Sequence, residues 1–233
     1  MNVNSQHRNM IEIVAKAIGQ DLLNEVAFVG GCTTGLMLDD PFSIEQVRHT
    51  DDVDLIVHVV GKVEWYSLQD RLRKQGFRET IDDDPICAMK FGELKVDFMP
   101  DDPAILGFCN KWYVEALKTA SNYQLTETVV IRLVLPAYFL ATKFEAYLGR
   151  GQGDALGSRD IEDILMLVDG RTTIVTDIKA AQPEVQQYIA SQFHELLGDR
   201  NFEFAVNSAA NGDAAREALL FERIELMIQT GNL

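Results

Sequence analysis

An apolar run that stops at a glycine pair, followed after a polar interval by a second apolar run opened by Asp-x-Asp, constrains this chain more than any other stretch. The first is Phe28-Val29-Gly30-Gly31-Cys32-Thr33-Thr34 and the second is Asp52-Val53-Asp54-Leu55-Ile56-Val57. Val26 to Val29 reads as a short buried strand, and Val53 to Val60, rich in β-branched residues, as another. Successive strand side chains point to opposite faces. Asp52 and Asp54 therefore share one face, while Val53, Leu55 and Val57 take the other.

The rest of the chain sorts around that pair. Ile11, Val14, Ile18 and Leu22 fall at helical spacing, predicting an amphipathic helix over Arg8 to Leu23. A helix is expected from Thr33 or Thr34 to Leu38, then a loop from Asp39 to Thr50 punctuated by Pro41. Trp65 to Gln75 reads as a helix stopped by Gly76. Ile86 to Phe91 and Leu94 to Met99, joined at Gly92-Glu93, predict a β-hairpin. The pattern at Trp112 to Lys118 fits neither period cleanly, and Thr128 to Leu135 is a further β-branched run. From Pro136, a suitable first helical residue, the texture becomes helical. Ala137 to Leu148 follows, then a glycine-rich loop over Gly149 to Gly157. Ser158 is placed to cap a helix through Val168, with Asp160 in its first turn. Thr176 to Ala181, Glu184 to Leu197 and Asp213 to Gln229 complete the helical part. The expected fold class is α+β, a mixed sheet with flanking helices followed by a mainly helical domain, divided as residues 1–120 and 121–233.

Size and charge narrow the classes. A chain of 233 residues, 47% hydrophobic and 24% charged, has an ordinary globular composition. No apolar run approaches the roughly 18 residues of a membrane-spanning helix, and the polar start, Met1 to Arg8, is unlike a signal peptide. A cytoplasmic protein with no membrane partner is expected. Cys32, Cys87 and Cys109 lack paired spacing, which argues against structural zinc or a disulfide framework. The formal net charge of −15 disfavours non-specific nucleic-acid binding and favours cationic partners.

Two neighbouring carboxylates repel and tend not to ionise together. A divalent cation reverses that preference, and Mg²⁺ takes oxygen ligands, commonly carboxylates plus substrate phosphates. Asp97, mid-strand among apolar neighbours in Leu94 to Met99, is the candidate third ligand of a two-ion site. Gly30 and Gly31 let a backbone approach phosphates, and Thr33 or Thr34 offers a hydroxyl. The competing reading makes Asp52 and Asp54 solvated strand-end acids and Gly30-Gly31 an ordinary turn. Asp82, Asp83, Asp84, Asp101 and Asp102 read as loop acids, and His58 as structural.

Together these residues resemble the polymerase-β-like nucleotidyltransferase superfamily, in which a Gly-Gly or Gly-Ser turn precedes a D-x-D strand and a later strand supplies a third acid. The form Arg48-x-Thr50-x-Asp52-Val53-Asp54-Leu55 is most similar to the AbiEii/AbiGii-type toxin branch. Lys143 with Ala146, and Asp160 with Asp163, resemble that branch's K-x-x-A and D-x-x-D helices. The resemblance implies that Lys143 contacts a nucleotide triphosphate and that Asp160 supports the active site. The competing reading makes Lys143 a solvated helix lysine, Asp160 a helix-dipole acid and Asp163 a surface residue. Lys143 and Arg150 lie two helical turns apart, so one face could present both cations. Gly30-Gly31-Cys32-Thr33 departs from the family's Gly-Gly-Thr or Gly-Ser form.

The implied activity is a Mg²⁺-dependent transfer of a nucleoside monophosphate from an NTP to RNA, such as a tRNA end, or to a protein, with a cognate antitoxin as possible partner. An enzyme modifying an aminoglycoside-like small molecule is one rival. A non-catalytic nucleotide-binding or antitoxin-like module is the other.

Overall fold

The acid-bearing strand lies at the centre of a mixed seven-stranded sheet, and everything before Pro136 in that unit is arranged around it. The structure, a computed structural model, describes residues 2–80, 86–150 and 153–231. The acids Asp82, Asp83 and Asp84, and Gly151 of the glycine-rich loop, lie outside the described residues.

The chain opens with α1 (Val3–Leu23), which breaks at Gly19 (φ +72°) where one continuous helix was expected, and β1 (Ala27–Val29), then a 3₁₀ turn (Gly31–Thr33) running into α2 (Thr34–Met37). After α3 (Pro41–Glu45) come β2 (Asp52–Val57), α4 (Gly61–Lys74), β3 (Arg78–Glu79), β4 (Ala88–Phe91) and β5 (Leu94–Pro100). The sheet is completed past α5 (Pro103–Leu106) and α6 (Tyr113–Thr119) by β6 (Ser121–Gln124) and β7 (Val130–Leu133). Strand order is β3-β4-β5-β2-β1-β7-β6. β2 runs parallel to β5 and antiparallel to β1, and β1 runs parallel to β7. The predicted hairpin is the antiparallel β4–β5 pair, with Phe91 opposite Leu94.

Alternation holds as read. Val53 and Leu55 of β2, Val96 and Phe98 of β5 and Phe28 of β1 are fully buried. Side chains of this size each contribute about 1.5–3 kcal/mol when buried. β2 ends earlier than expected, at Val57. The Asp101 and Asp102 carboxylates accept the backbone N–H groups of Val59 and Gly61, turning the chain out of the sheet and into α4.

By packing, the chain divides into one unit of Met1–Leu36 with Arg48–Leu135, and another of Met37–Val47 with Pro136–Leu233. The second unit is helical: α7 (Pro136–Arg150), α8 (Arg159–Gly170), α9 (Ile174–Lys179), α10 (Pro183–Leu196), α11 (Arg200–Ala209) and α12 (Ala214–Thr230), together with α3. Ser158 caps α8, accepting from the Ile161 N–H at 3.4 Å. The core joins Phe139 and Phe144 of α7, Ile164 and Val168 of α8, Phe193 of α10 and Ile224 of α12. Phe144 meets Phe193 edge-on at 5.0 Å between ring centres. Among the described residues no helix is long and apolar enough to cross a membrane.

The polar interval from Asp39, expected as loop throughout, contains α3. Pro41 is its first residue, and Asp40 caps it by accepting the Ser43 N–H at 3.0 Å. The N–H groups of Asp39 and Asp40 both donate to the Gly170 carbonyl at the end of α8. A Cβ on Gly170 would lie 2.6 Å from the Ser43 Cβ, so the close seating of α3 on α8 needs glycine there. Arg216 of α12 then joins Asp40 at 2.8 Å and buried Asp169 of α8. Its guanidinium lies 4.4 Å over the Phe42 ring.

The Arg216 hydrogen bond, helped by Ser43, lowers the Asp40 pKa from 3.8 to about 2. A carboxyl whose pKa is depressed by folding stabilises the fold above its unfolded value and loses that contribution as pH falls through the folded value. Unfolding free energy should therefore drop as pH falls from 3.8 towards about 2, and Asp40→Asn should flatten that part of the profile. Urea melts at stepped pH check it; an unchanged slope in Asp40→Asn would show that the ion pair carries no stability.

Candidate metal centre

β2 and β5 are in parallel register with Asp54 beside Asp97 and Asp52 beside Lys95. Paired residues of adjacent strands face the same side, and alternation adds residues two apart. Asp52, Asp54 and Asp97 thus share one face of the sheet. One carboxylate oxygen from each lies within 4.8 Å of the others, an arrangement that could hold a metal ion. All three residues are half-buried, set above the apolar layer of Val53, Leu55, Val96 and Phe98.

Gly30 is fitted to this cluster. Its φ of +82° lies where residues bearing a Cβ are strained, and an added Cβ would fall 1.8 Å from Asp54 Oδ2. The glycine's missing side chain is the space the carboxylate occupies. The two expected hydroxyls separate here. Buried Thr33 donates its Oγ1 hydrogen to the Gly30 carbonyl at 2.8 Å, closing the turn. Thr34 Oγ1 is also buried, yet finds no hydrogen-bond partner among the described residues.

The field of the cluster is felt nearby. Burial first, then the negative charges of Asp97 and Asp54, push the Cys87 thiol up to about 12. Lys95 went unnoticed in the sequence, although alternation along β5 puts it on the Asp97 face. It stands in register beside Asp52 and two residues from Asp97 along β5.

Lys143, Asp160 and Asp163 meet in the helical unit. Lys143 of α7 is buried, with Nζ 3.2 Å from Asp160 Oδ1 and 2.6 Å from Asp163 Oδ2 on α8. Arg150 adds a two-pronged contact to Asp160, Nε to Oδ2 at 2.9 Å and Nη2 to Oδ1 at 2.8 Å. The shared helix face for Lys143 and Arg150 is realised, converging on one carboxylate. Burial raises the Asp160 pKa, but the Arg150 hydrogen bond and the Lys143 charge outweigh it and leave the carboxyl below its usual value. Neither competing surface assignment survives. Lys143 is not solvated, and Asp163 is 1% exposed rather than a surface residue.

Asp101 lies in the loop between β5 and α5, as read, but it is buried and bonded. It is 9% exposed, accepts the Val59 N–H and lies 2.7 Å from His58 Nδ1. That hydrogen bond raises the His58 pKa. His58 is thus held just past the end of β2.

The repulsion within the trio is directly measurable. In ion-free buffer, Asp97→Asn should raise the thermal midpoint by relieving it. Added Mg²⁺ or Mn²⁺ should raise the midpoint of the native chain with concentration, and do so far less for Asp97→Asn or Asp54→Asn. A native midpoint indifferent to both ions would remove the metal centre. Separately, Lys143→Met leaves two buried acids short of a cation and should cost about 3–5 kcal/mol in urea unfolding. Adding Asp163→Leu should recover part of that loss; no recovery would mean the pair is not the origin of the cost.

No protein-family model matches this chain and no curated protein matches it. A mixed α/β fold carrying the Asp52, Asp54 and Asp97 cluster is what the geometry establishes.

Proposed function

We propose that this protein is a Mg²⁺-dependent nucleotidyltransferase of the polymerase-β-like kind, similar to the AbiEii/AbiGii-type toxins, moving a nucleoside monophosphate from an NTP to an acceptor hydroxyl. One observation carries the reading. Three carboxylates from two adjacent parallel strands gather within 4.8 Å, directly against a glycine whose missing Cβ makes room for one of them. Surface acids scattered for solubility have no reason to be packed in this way.

Asp52, Asp54 and Asp97 would hold the metal, two ions in the full reading. Bound there, Mg²⁺ supplies charge neutralisation for the phosphates and acidifies the attacking hydroxyl. Asp97 would accept that hydroxyl's proton. Gly30 and Gly31 enter as the phosphate turn on the strength of the resemblance, although both are buried, and the Thr34 hydroxyl, unmatched within the described residues, is the better donor of the two threonines. Lys143 enters as the triphosphate ligand and Asp160 as the supporting acid on the strength of the resemblance. Their geometry adds a condition: a phosphate oxygen must share Lys143 with Asp160 and Asp163, which already take two of its contacts. Arg150, whose side chain is 70% exposed, can follow Asp160 without desolvation.

The acceptor classes are RNA, protein, or a cationic small molecule that the −15 net charge would attract. Incubation with each α-labelled NTP, Mg²⁺ and separate pools of RNA, protein and aminoglycosides should move label into one pool with pyrophosphate release. Asp54→Ala should abolish it, a loss on the order of 10²–10³-fold or more. Transfer that persists in Asp54→Ala sinks the metal-site mechanism. NTP binding without transfer to any pool points instead to the non-catalytic module, and a partner protein such as an antitoxin becomes the thing to seek.

A further inference from the structure

The apolar stripe of α1, read from Ile11 through Val14, Ile18 and Leu22, continues one turn further towards the N-terminus than the sequence reading took it. The residue at that position is His7, which is fully buried. A polar ring in place of an aliphatic side chain costs free energy unless hydrogen bonds offset it. Its Nε2 accepts the backbone N–H of Thr50 at 3.2 Å, which fixes the neutral ring with that nitrogen unprotonated. Thr50 uses its other donor, the hydroxyl, on Asp52 Oδ1. One residue is thus held through its main chain by α1 and holds through its side chain the first acid of the trio.

We propose that His7 and Thr50 are positioning residues that fix the Asp52 carboxylate for the ion. The proposal rests on the metal-centre reading above and deepens it. The torsion that turns a carboxylate about its own axis is broad and weakly restrained. Asp52 is half-buried at the very start of β2, where the ladder restrains it least. A donated hydroxyl at Oδ1 removes that freedom and sets the plane in which the carboxylate meets an ion. The hydroxyl works only if the Thr50 backbone is itself fixed, since the residue lies outside the strand. His7 supplies that restraint from a helix whose own start is fastened to the sheet. Its neighbour Arg8 donates to the Tyr123 hydroxyl at 3.0 Å and to the Leu125 carbonyl.

Partners that orient a metal ligand typically cost 10–100-fold in metal affinity when removed. Manganese binding, measured as the loss of free Mn²⁺ signal in electron paramagnetic resonance, reads this without any turnover. Thr50→Val should weaken binding about 10-fold, and Thr50→Ser, which keeps the hydroxyl, should restore it. His7→Leu, apolar and of similar size, should weaken it comparably. His7→Gln, whose amide oxygen can accept the same N–H, should restore it. The double variant His7→Leu/Thr50→Val should be no weaker than Thr50→Val alone, because both act along one path. Native-like affinity in Thr50→Val, or additive losses in the double variant, would overturn the proposal. Hydrogen exchange at the Thr50 amide keeps the two readings apart. It is protected in the native chain, loses protection in His7→Leu and regains it in His7→Gln, all without an ion. If the native chain binds no Mn²⁺ while this exchange pattern holds, the metal reading fails and the His7–Thr50 link stands. If the pattern is absent, the link fails whatever the ion does.

Discussion

Like charges held close together are the constraint on which this structure turns. Two carboxylates a few ångströms apart at a protein surface repel by roughly a few kcal/mol. Here three are gathered by the parallel register of two neighbouring strands. The sheet can impose this because its other face is well buried: Val53, Leu55, Val96 and Phe98 are inaccessible to solvent, so shifting the register by one residue would expose them and bury the acids. Hydrophobic burial on one side of the pleat therefore keeps electrostatic repulsion in place on the other.

The helical unit treats its acids in the opposite way. Asp160 and Asp163 are more deeply buried than the trio, yet two cations, Lys143 and Arg150, converge on them. Buried acids matched one for one by cations form a group whose charges are balanced inside the fold. The trio is gathered instead by strand register, with Lys95 beside Asp52, in an arrangement that could hold a metal ion. That contrast within one chain favours a ligand site in the sheet over a cluster of incidental acids.

Much of this could be read from residue order. Period-two alternation identified the shared face of Asp52 and Asp54, and apolar neighbours on both sides marked Asp97 as an acid needing a reason. Pro136 and Ser158 announced helices whose first turns the structure shows. What escaped was decided by partners distant in sequence. Asp163 and Asp101 look like surface acids until Lys143 and His58 are placed beside them. The short strands β3 and β6 form the sheet's two edges, where pairing rather than pattern makes a strand. The α3 segment packs with helices encoded far later in the chain, and local reading sees only the Pro41 punctuation. His7 was missed because a histidine ends an aliphatic stripe, and the eye stops where the aliphatic residues do.

The glycine pair and the Asp-x-Asp strand are better understood as one feature than as two motifs. Asp54 fills the space a side chain at Gly30 would need, so Gly30 cannot gain one while Asp54 stands there. Asp52 is held from a different direction, by the Thr50 hydroxyl and through it by His7. Each acid of β2 is thus met from outside its own strand, Asp54 by the space left at Gly30 and Asp52 by the Thr50 hydroxyl. A solvated strand-end carboxylate has no use for such restraint, since water accommodates any orientation. Restraint matters when the oxygens must meet a partner in a set geometry, and immobilising them beforehand means that binding need not supply the ordering. The metal reading draws its support from that excess of order around Asp52 and Asp54 as much as from the number of acids.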